Sequence, residues 1–560
     1  MILSFKIMPP LRGDLIARLK ANSYESQAPK AMMCCSAAVP WSGRAWLVDL
    51  GMLCPRLGRR EELGEDANAE HRQADRSLAR VNAPAHTAPP RRVPLRTKLA
   101  FGVGTVAFGI KDNGFGVFLL LFYNQVVGLP AEAVGATIGL ALVLDALIDP
   151  VVGNLSDRTR SRIGRRHPWM YGAALPVALS WLMLWHPPTS GTGATLGYLL
   201  IVGFLVRASL SAYEVPSISL LPEMTSDYQE RTVVLRYRFL FGWVGGLVML
   251  AIAYGLIFTD TPEYPNGLLN PDGYTPYAVI GAIVMLASIL LSAWGTHKKF
   301  ARPPAHPIDT AENLGQIIAT LKYRPFLILM VAALFGMAIQ GITFALTNYL
   351  FDFVWEFTAL QFVAYTGILF ASAVASFLVV VPIGRRFRKQ RAAAICVVVM
   401  MLFASAPYWL RYFDLAPPNG SDWLPPFIFA FVFVGNTAGI SATLFTTSMM
   451  ADVTDHAASK GGKQTEGLFF AGYFFLQKAI SGIGIFLSGL ILGLVGFPEN
   501  AQPGAVDQDV LMRLTLFYAV ALVVFGLAAA WSYLRFPLGP VAGVDPQGLD
   551  RVIDAAGEEV

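Results

Sequence analysis

Twelve times between residues 99 and 535 the chain turns apolar for a stretch long enough to cross a bilayer as a helix. Lipid offers no partner to backbone N–H and C=O groups, so such a run closes its hydrogen bonds within itself and becomes an α-helix. The runs lie near 99–125, 132–156, 167–187, 194–222, 232–258, 275–296, 323–353, 358–383, 391–411, 424–452, 465–497 and 510–535. Composition agrees, with 54% of residues hydrophobic and 14% charged, against about a quarter charged in soluble domains. The expected fold is an all-α membrane protein of twelve transmembrane helices.

A polar stretch, "THKKFARPPAHPIDTAENLGQ", separates the sixth run from the seventh. The chain therefore parses into an N-terminal half at 96–296, a central loop at 297–322, a C-terminal half at 323–536 and a tail at 537–560. Residues 1–95 are rich in Arg, Ala and Pro, hold no run of spanning length and lack a signal-peptide pattern, so they read as a disordered extension. Cys34, Cys35 and Cys54 fall in that extension and Cys396 in an apolar run, which implies neither a disulfide framework nor a metal site.

Lys and Arg set the orientation. "RRVPLRTK", "DRTRSRIGRRH", "HKKFARP" and "GRRFRKQR" all fall on one side if the runs alternate, whereas "HPPTSGTGA" and "FTDTPEYPNGLLNPDGYTP" hold no Lys or Arg. The basic side and both termini are expected in the cytoplasm. The basic loop follows the second run of each half, which points to an internal duplication.

The second run raises a sharper question, because "ALVLDALIDPVVGNLSDRTRSRIGRR" carries Asp145 and Asp149 in its apolar part. A central Asp costs about 2.5–3.5 kcal/mol on insertion, and each Leu, Ile or Val returns only about 0.3–0.6. Two such residues cancel nearly all that the run supplies, so they face the bundle interior. Four residues apart, they share one helix face, and paired carboxylates there suit a cation or a proton; a structural salt bridge is the other reading. Lys111 and Asp112 in "FGIKDNGFGVF", Glu214 in "SAYEVPSISLLPE", Arg238 in "LRYRFLFGW" and Lys478 in "FFLQKAISGIG" interrupt other runs. Left unpaired, the set would cost on the order of 15–25 kcal/mol, more than ordinary folding stability, so its members meet one another, water or a ligand. Arg238, near a helix end, also has the option of snorkelling.

These residues carry a resemblance. "GNLSDRTRSRIGRRHPW" is similar to the loop signature of the major facilitator superfamily, and "DALIDPVVGNLSDRTRSRIGRR" resembles its glycoside–pentoside–hexuronide:cation symporter branch, the relatives of melibiose permease. "KLAFGVGTVAFGIKDNGFGVFLLLFYNQVVGLP", "PEMTSDYQER" and "MMADVTDHAASKGGKQTEGLFFAGYFFLQKAISG" are similar to other patterns of that branch, so the resemblance covers about residues 95–535.

It implies two pseudo-symmetric six-helix halves, with Asp145, Asp149 and Ser211 holding the coupling cation. Lys111, Asp112, Glu214 and Arg238 would meet sugar hydroxyls, and Lys478 would link the halves. Asp157, Arg158, Arg165 and Arg166 belong to the signature loop and are expected to gate. Asp452 and Asp455, beside His456 at the end of the tenth run, either pair with loop arginines to close that gate or are simply solvated. Two departures matter: Ile148 stands where melibiose permease has an amide, which removes a sodium ligand and favours a proton. Ile218 and Thr443 replace its aromatic sugar platforms, with Trp243, Tyr213 and Tyr473 as substitutes.

The implied function is secondary symport of a sugar or glycoside with a proton or sodium ion, by alternating access in the inner membrane. A lysophospholipid or other amphiphile carrier of the same fold is the alternative, and a non-transporting sensor a more remote one. The expected partners are a small-molecule substrate, the coupling cation and the lipid bilayer, with no nucleic acid, and the chain is expected to act as a monomer. No nucleophile–base pair, metal-ligand cluster or nucleotide loop suggests an enzyme or a cofactor, and the only metal expected is a sodium ion at the cation site. The glycines of "GVGTVAFG" and "SGIGIFLSG" read as close helix packing.

Overall fold

The computed structural model describes residues 93–188, 191–225, 227–300, 322–461 and 482–537, with only the backbone of residues 228–229, 232, 298–300, 455 and 458–461. The expected extension, most of the central loop and tail, and the first part of the eleventh span lie outside the described residues. Everything described is helix or connecting loop.

Among the described residues twelve helices follow one another, ten of them long and apolar enough to cross a membrane. The first, α1, runs over Leu95–Val126 and contains π turns at Gly114–Phe118 and Phe122–Val126. Next come α2 (Ala131–Arg158), α3 (His167–Leu184) and α4 (Thr192–Met224). The half closes with α5 (Tyr228–Ile252, continued by a π turn at Ala253–Ile257) and α6 (Pro271–Phe300). The second half holds α7 (Arg324–Val354), α8 (Ala359–Arg386), α9 (Lys389–Tyr412), α10 (Leu424–Gly461), α11 (Gly482–Val495) and α12 (Gln508–Leu534). The basic loops lie at the ends of α2, α6 and α8; their side is called here the Arg-rich face.

Local chemistry explains several joints. Gly128 turns the chain from α1 into α2 at φ 78°, a backbone angle that favours glycine. Thr358 and Gln361 form a reciprocal capping box that starts α8. Pro150 lies inside α2 directly after Asp149 and withholds the N–H that Ala146 C=O would accept, which removes one helix hydrogen bond beside the acidic pair.

Glycine faces bring helices to backbone contact, as their spacing predicts. A Cβ on Gly109 of α1 would lie 2.0 Å from the Gly242 carbonyl of α5, and one on Gly489 of α11 would lie 2.4 Å from the Ala131 carbonyl of α2. Large side chains such as Leu140, Leu147, Leu175, Leu179 and Ile201 are exposed on the outer surfaces of α2–α4, where lipid replaces water as their solvent.

Candidate functional site

Three residues of α4, Arg207, Ser211 and Glu214, are spaced four and three apart and so share a helix face. That face meets α2. Arg207 Nε donates to Asp145 Oδ2 at 3.0 Å, its Nη2 lies 2.8 Å from the same oxygen, and Ser211 Oγ donates to Oδ1 at 3.1 Å. Both charged side chains are almost wholly buried, 4% and 2% exposed, with the guanidinium carbon 5.3 Å from the centre of the Phe115 ring. Arg207 is the main residue that the sequence reading missed. Its signal was available, since "LVRASLSAYE" places it one turn before Ser211. Asp149 is half-buried one turn further toward the Arg-rich face, directly before Pro150.

The rest of the first-half set gathers nearby. Arg238 of α5 donates from Nη2 to Glu214 at 3.2 Å and from Nη1 to Ser217 at 3.0 Å, and it is buried rather than snorkelling. Lys111 is buried on α1, 3.5 Å from Asp112 and 4.3 Å from the centre of the Phe108 ring. It lies in the electrostatic field of Arg207, Asp112, Asp145 and Glu214. Asp112, by contrast, is 56% exposed at mid-span; an acidic side chain at that depth belongs in a water-filled cavity and not against lipid. Lys478 lies outside the described residues.

The aromatic substitutes fare differently. Tyr213 is fully buried and donates its hydroxyl to Ser292 of α6, which makes it packing between helices and not an open platform for a sugar. Trp243 and Ile218 are exposed at 44% and 41%, Thr443 bonds to Gly439 C=O of its own helix, and Tyr473 lies outside the described residues. Asp352, a further acid that sequence reading passed over in "NYLFDFVW", is buried in the π turn that ends α7, beside Asn266 of the α5–α6 loop.

At the Arg-rich face, Arg165 lies 2.7 Å from Glu223 and 3.9 Å from Asp157, and Arg166 lies 3.1 Å and 3.4 Å from the same two acids. Burial pushes the Arg166 guanidinium below its ordinary pKa, and Glu223 opposes the shift. Arg158 is exposed and outside this cluster. In the second half Asp452 pairs with Lys389 at 2.6 Å, a lysine where arginines were expected. The Asp455 side chain is not described. His456 sits on α10, half-buried, its ring 6.5 Å from that of Tyr323.

The halves join at the opposite face. Asn348 of α7 donates to Val117 C=O at 3.0 Å, Tyr349 donates to Asn124 at 2.8 Å, and Tyr254 donates to Asn348 at 2.6 Å. Gln125 binds Pro498 C=O and the Ala501 N–H across the same seam. The hydrogen bonds just named between the halves lie at this Arg-poor face, and the ion pairs named above at the Arg-rich face each stay within one half.

Two six-helix halves closed at one end around buried and half-exposed charges define a membrane transporter of the major facilitator fold. The profile of the MFS/sugar transport protein family matches residues 100–540, and the chain belongs to that family. It is 23% identical to the isoprimeverose transporter of Lactiplantibacillus pentosus over 82% of this chain and 92% of that protein. It is 22% identical to the sodium-dependent lysophosphatidylcholine symporter 1-A of Danio rerio over 81% of this chain and 88% of that one. The crystal structure of a D-xylose-proton symporter superposes with a TM-score of 0.56 at 13% identity, over 79% of this chain and 98% of that chain, and so shares the fold.

Proposed function

We propose that the chain is a secondary symporter that moves a sugar or glycoside together with a proton or sodium ion across the inner membrane, the Arg-rich face and both termini being cytoplasmic. The observation that carries the reading is the convergence of Lys111, Asp112, Asp145, Arg207, Glu214 and Arg238 from four helices of one half. Carboxylates and guanidinium groups hold hydroxyls by charge-assisted hydrogen bonds, which is the chemistry a polyol needs. Asp145 and Asp149, with Ser211, form the coupling-ion end, and Lys111, Asp112, Glu214, Arg238 and Lys478 the substrate end. The halves rock about this centre, and the seam at Asn348, Tyr349 and Gln125 is the closed outer gate of an inward-open state. The loop clusters of Asp157, Arg158, Arg165, Arg166, Asp452 and Asp455 belong to the inner gate. The cycle needs no cofactor and runs in a monomer.

Uptake of a panel of labelled glycosides into proteoliposomes, under a sodium gradient or a pH gradient, tests the reading. Accumulation of at least one glycoside under one gradient is the expected outcome, and none under either would refute it. Asp149→Asn should abolish uphill accumulation and leave exchange intact, whereas Asp112→Asn should weaken substrate binding. A chain lacking residues 1–95 should transport within about twofold of the full chain, since that segment has too little apolar content to join the bundle.

One observation favours a second cargo. An apolar cleft of about 530 Å³ opens between α2, α3 and α4, lined by Ile148, Val151, Leu155, Trp169, Ala208 and Ala212. An acyl chain would suit it. Gradient-driven uptake of a lysophospholipid, with no glycoside moved, would select that reading.

A further inference from the structure

The coupling-ion end, as proposed above, contains a charge that an ion-binding site does not ordinarily hold. Asp145 faces a guanidinium from α4 with two nitrogens on its Oδ2, and a serine hydroxyl on its Oδ1. Burial of both partners removes the water that would let the pair exchange freely, and the Phe115 ring lies near the guanidinium. A hard metal cation needs several oxygens at short range. At Asp145 it would find one carboxylate oxygen already shared by two N–H donors, and a fixed positive charge against the same group.

We propose that Arg207 is a built-in cation occupying the seat on Asp145 that an alkali-metal ion would need, so that sodium does not bind at this carboxylate. The inference rests on the proposed role of the α2 carboxylates and deepens it: coupling falls to Asp149, and the ion that remains is a proton. Arg207 is in this sense a residue that sets ion specificity. The α4 backbone carries its side chain to the spot with no loop to reposition it.

Removing the guanidinium turns the argument around, because a buried carboxylate stripped of its partner seeks another cation. The experiment compares the purified full chain with R207Q by thermal unfolding, in sodium chloride and in choline chloride of equal ionic strength. The wild-type melting temperature should be the same in both salts to within about 1 °C, and R207Q should melt about 4 °C or more higher in sodium. Recovery of R207Q as folded protein only in sodium would support the proposal equally. R207S, with more room for an ion, should repeat the gain. The double variant D145N/R207Q, with neither charge, should be indifferent to sodium. Sodium stabilisation of the wild type or of the double variant would overturn the proposal, as would a folded R207Q and R207S that both ignore sodium. The readout needs neither sugar nor gradient. A failure to move any glycoside would therefore defeat the proposed function and leave this result standing, and the reverse also holds.

Discussion

Arg207 lies sixteen residues before Glu223 on α4, and Asn436 lies sixteen residues before Asp452 on α10, so the two occupy the same place in their halves. Their partners match as well. Asp145 is the fifteenth residue of α2 and Ser372 the fourteenth of α8, and Asn436 Nδ2 donates to Ser372 Oγ at 2.5 Å where Arg207 holds Asp145. The second half thus keeps a neutral copy of the contact that is ionic in the first. Both bind the second helix of a half to its fourth. The neutral pair does so without burying charge, and this separates the structural duty of the contact from whatever the charges add. The duplication that the repeated basic loops suggest is present in this pair of contacts, which is ionic in the first half and neutral in the second.

Removing one partner breaks the comparison most strongly. Asp145→Ala leaves a buried guanidinium without its carboxylate and should cost about 3–5 kcal/mol, whereas Ser372→Ala removes only neutral hydrogen bonds, from Asn436 and to Leu369 C=O, and should cost about 1–2 kcal/mol. Denaturant titration of the two purified variants would show the difference, and equal losses would mean that the charges carry no special weight. Copying the neutral pair into the first half, as Asp145→Ser with Arg207→Asn, should recover most of the loss. If it does not, the ion pair is structurally irreplaceable.

Packing offers an intermediate contrast. A methyl group on Gly104 would sit 1.6 Å from the Tyr213 hydroxyl oxygen and 2.7 Å from Ser292 Cβ, while one on Gly367 of α8 would meet nothing within 4 Å. Gly104→Ala should cost about 1–3 kcal/mol by overpacking. Gly367→Ala should be neutral or stabilising by up to about 1 kcal/mol, because alanine is the better helix former. Melting temperatures that fall alike would show that α8 is packed against something in the membrane.

Much of this was legible in the sequence. Apolar length gave the spans, because a bilayer imposes it, and the ends of α2 and α3 at Arg158 and His167 fall where "DRTRSRIGRRH" places a loop. The cost of burying Asp145 and Asp149 located the charged centre before any geometry was known. What could not be read was pairing. Two acids on one helix face look alike in a sequence, and only the approach of α4 shows that Asp145 is held by Arg207. Tyr213 failed as a sugar platform for the same reason: a tyrosine in a span does not reveal whether its ring faces the cavity or, as here, the hydroxyl of Ser292. The neutral Asn436–Ser372 pair left no trace, since neither residue is costly enough in a helix to draw notice.

The smallest effect should come at the Arg-rich face. Glu223 takes two arginines that are only 11% and 9% exposed, but Lys389 is 43% exposed and holds Asp452, itself 29% exposed, without further ionic partners among the described residues. Water competes for an ion pair so placed, and salt screens it, so Lys389→Ala should change stability by about 0–1 kcal/mol. Glu223→Gln leaves two largely buried arginines short of their acid and should cost more. The comparison sharpens with ionic strength. Raising salt from about 0.05 M to 0.5 M shortens the screening length severalfold, which should erase the small effect of Lys389→Ala and leave most of that of Glu223→Gln. If the lysine variant loses more than the glutamine variant, or if its loss persists in high salt, then Lys389 and Asp452 have a buried partner at that face, and the second half is not the weaker of the two at its gate.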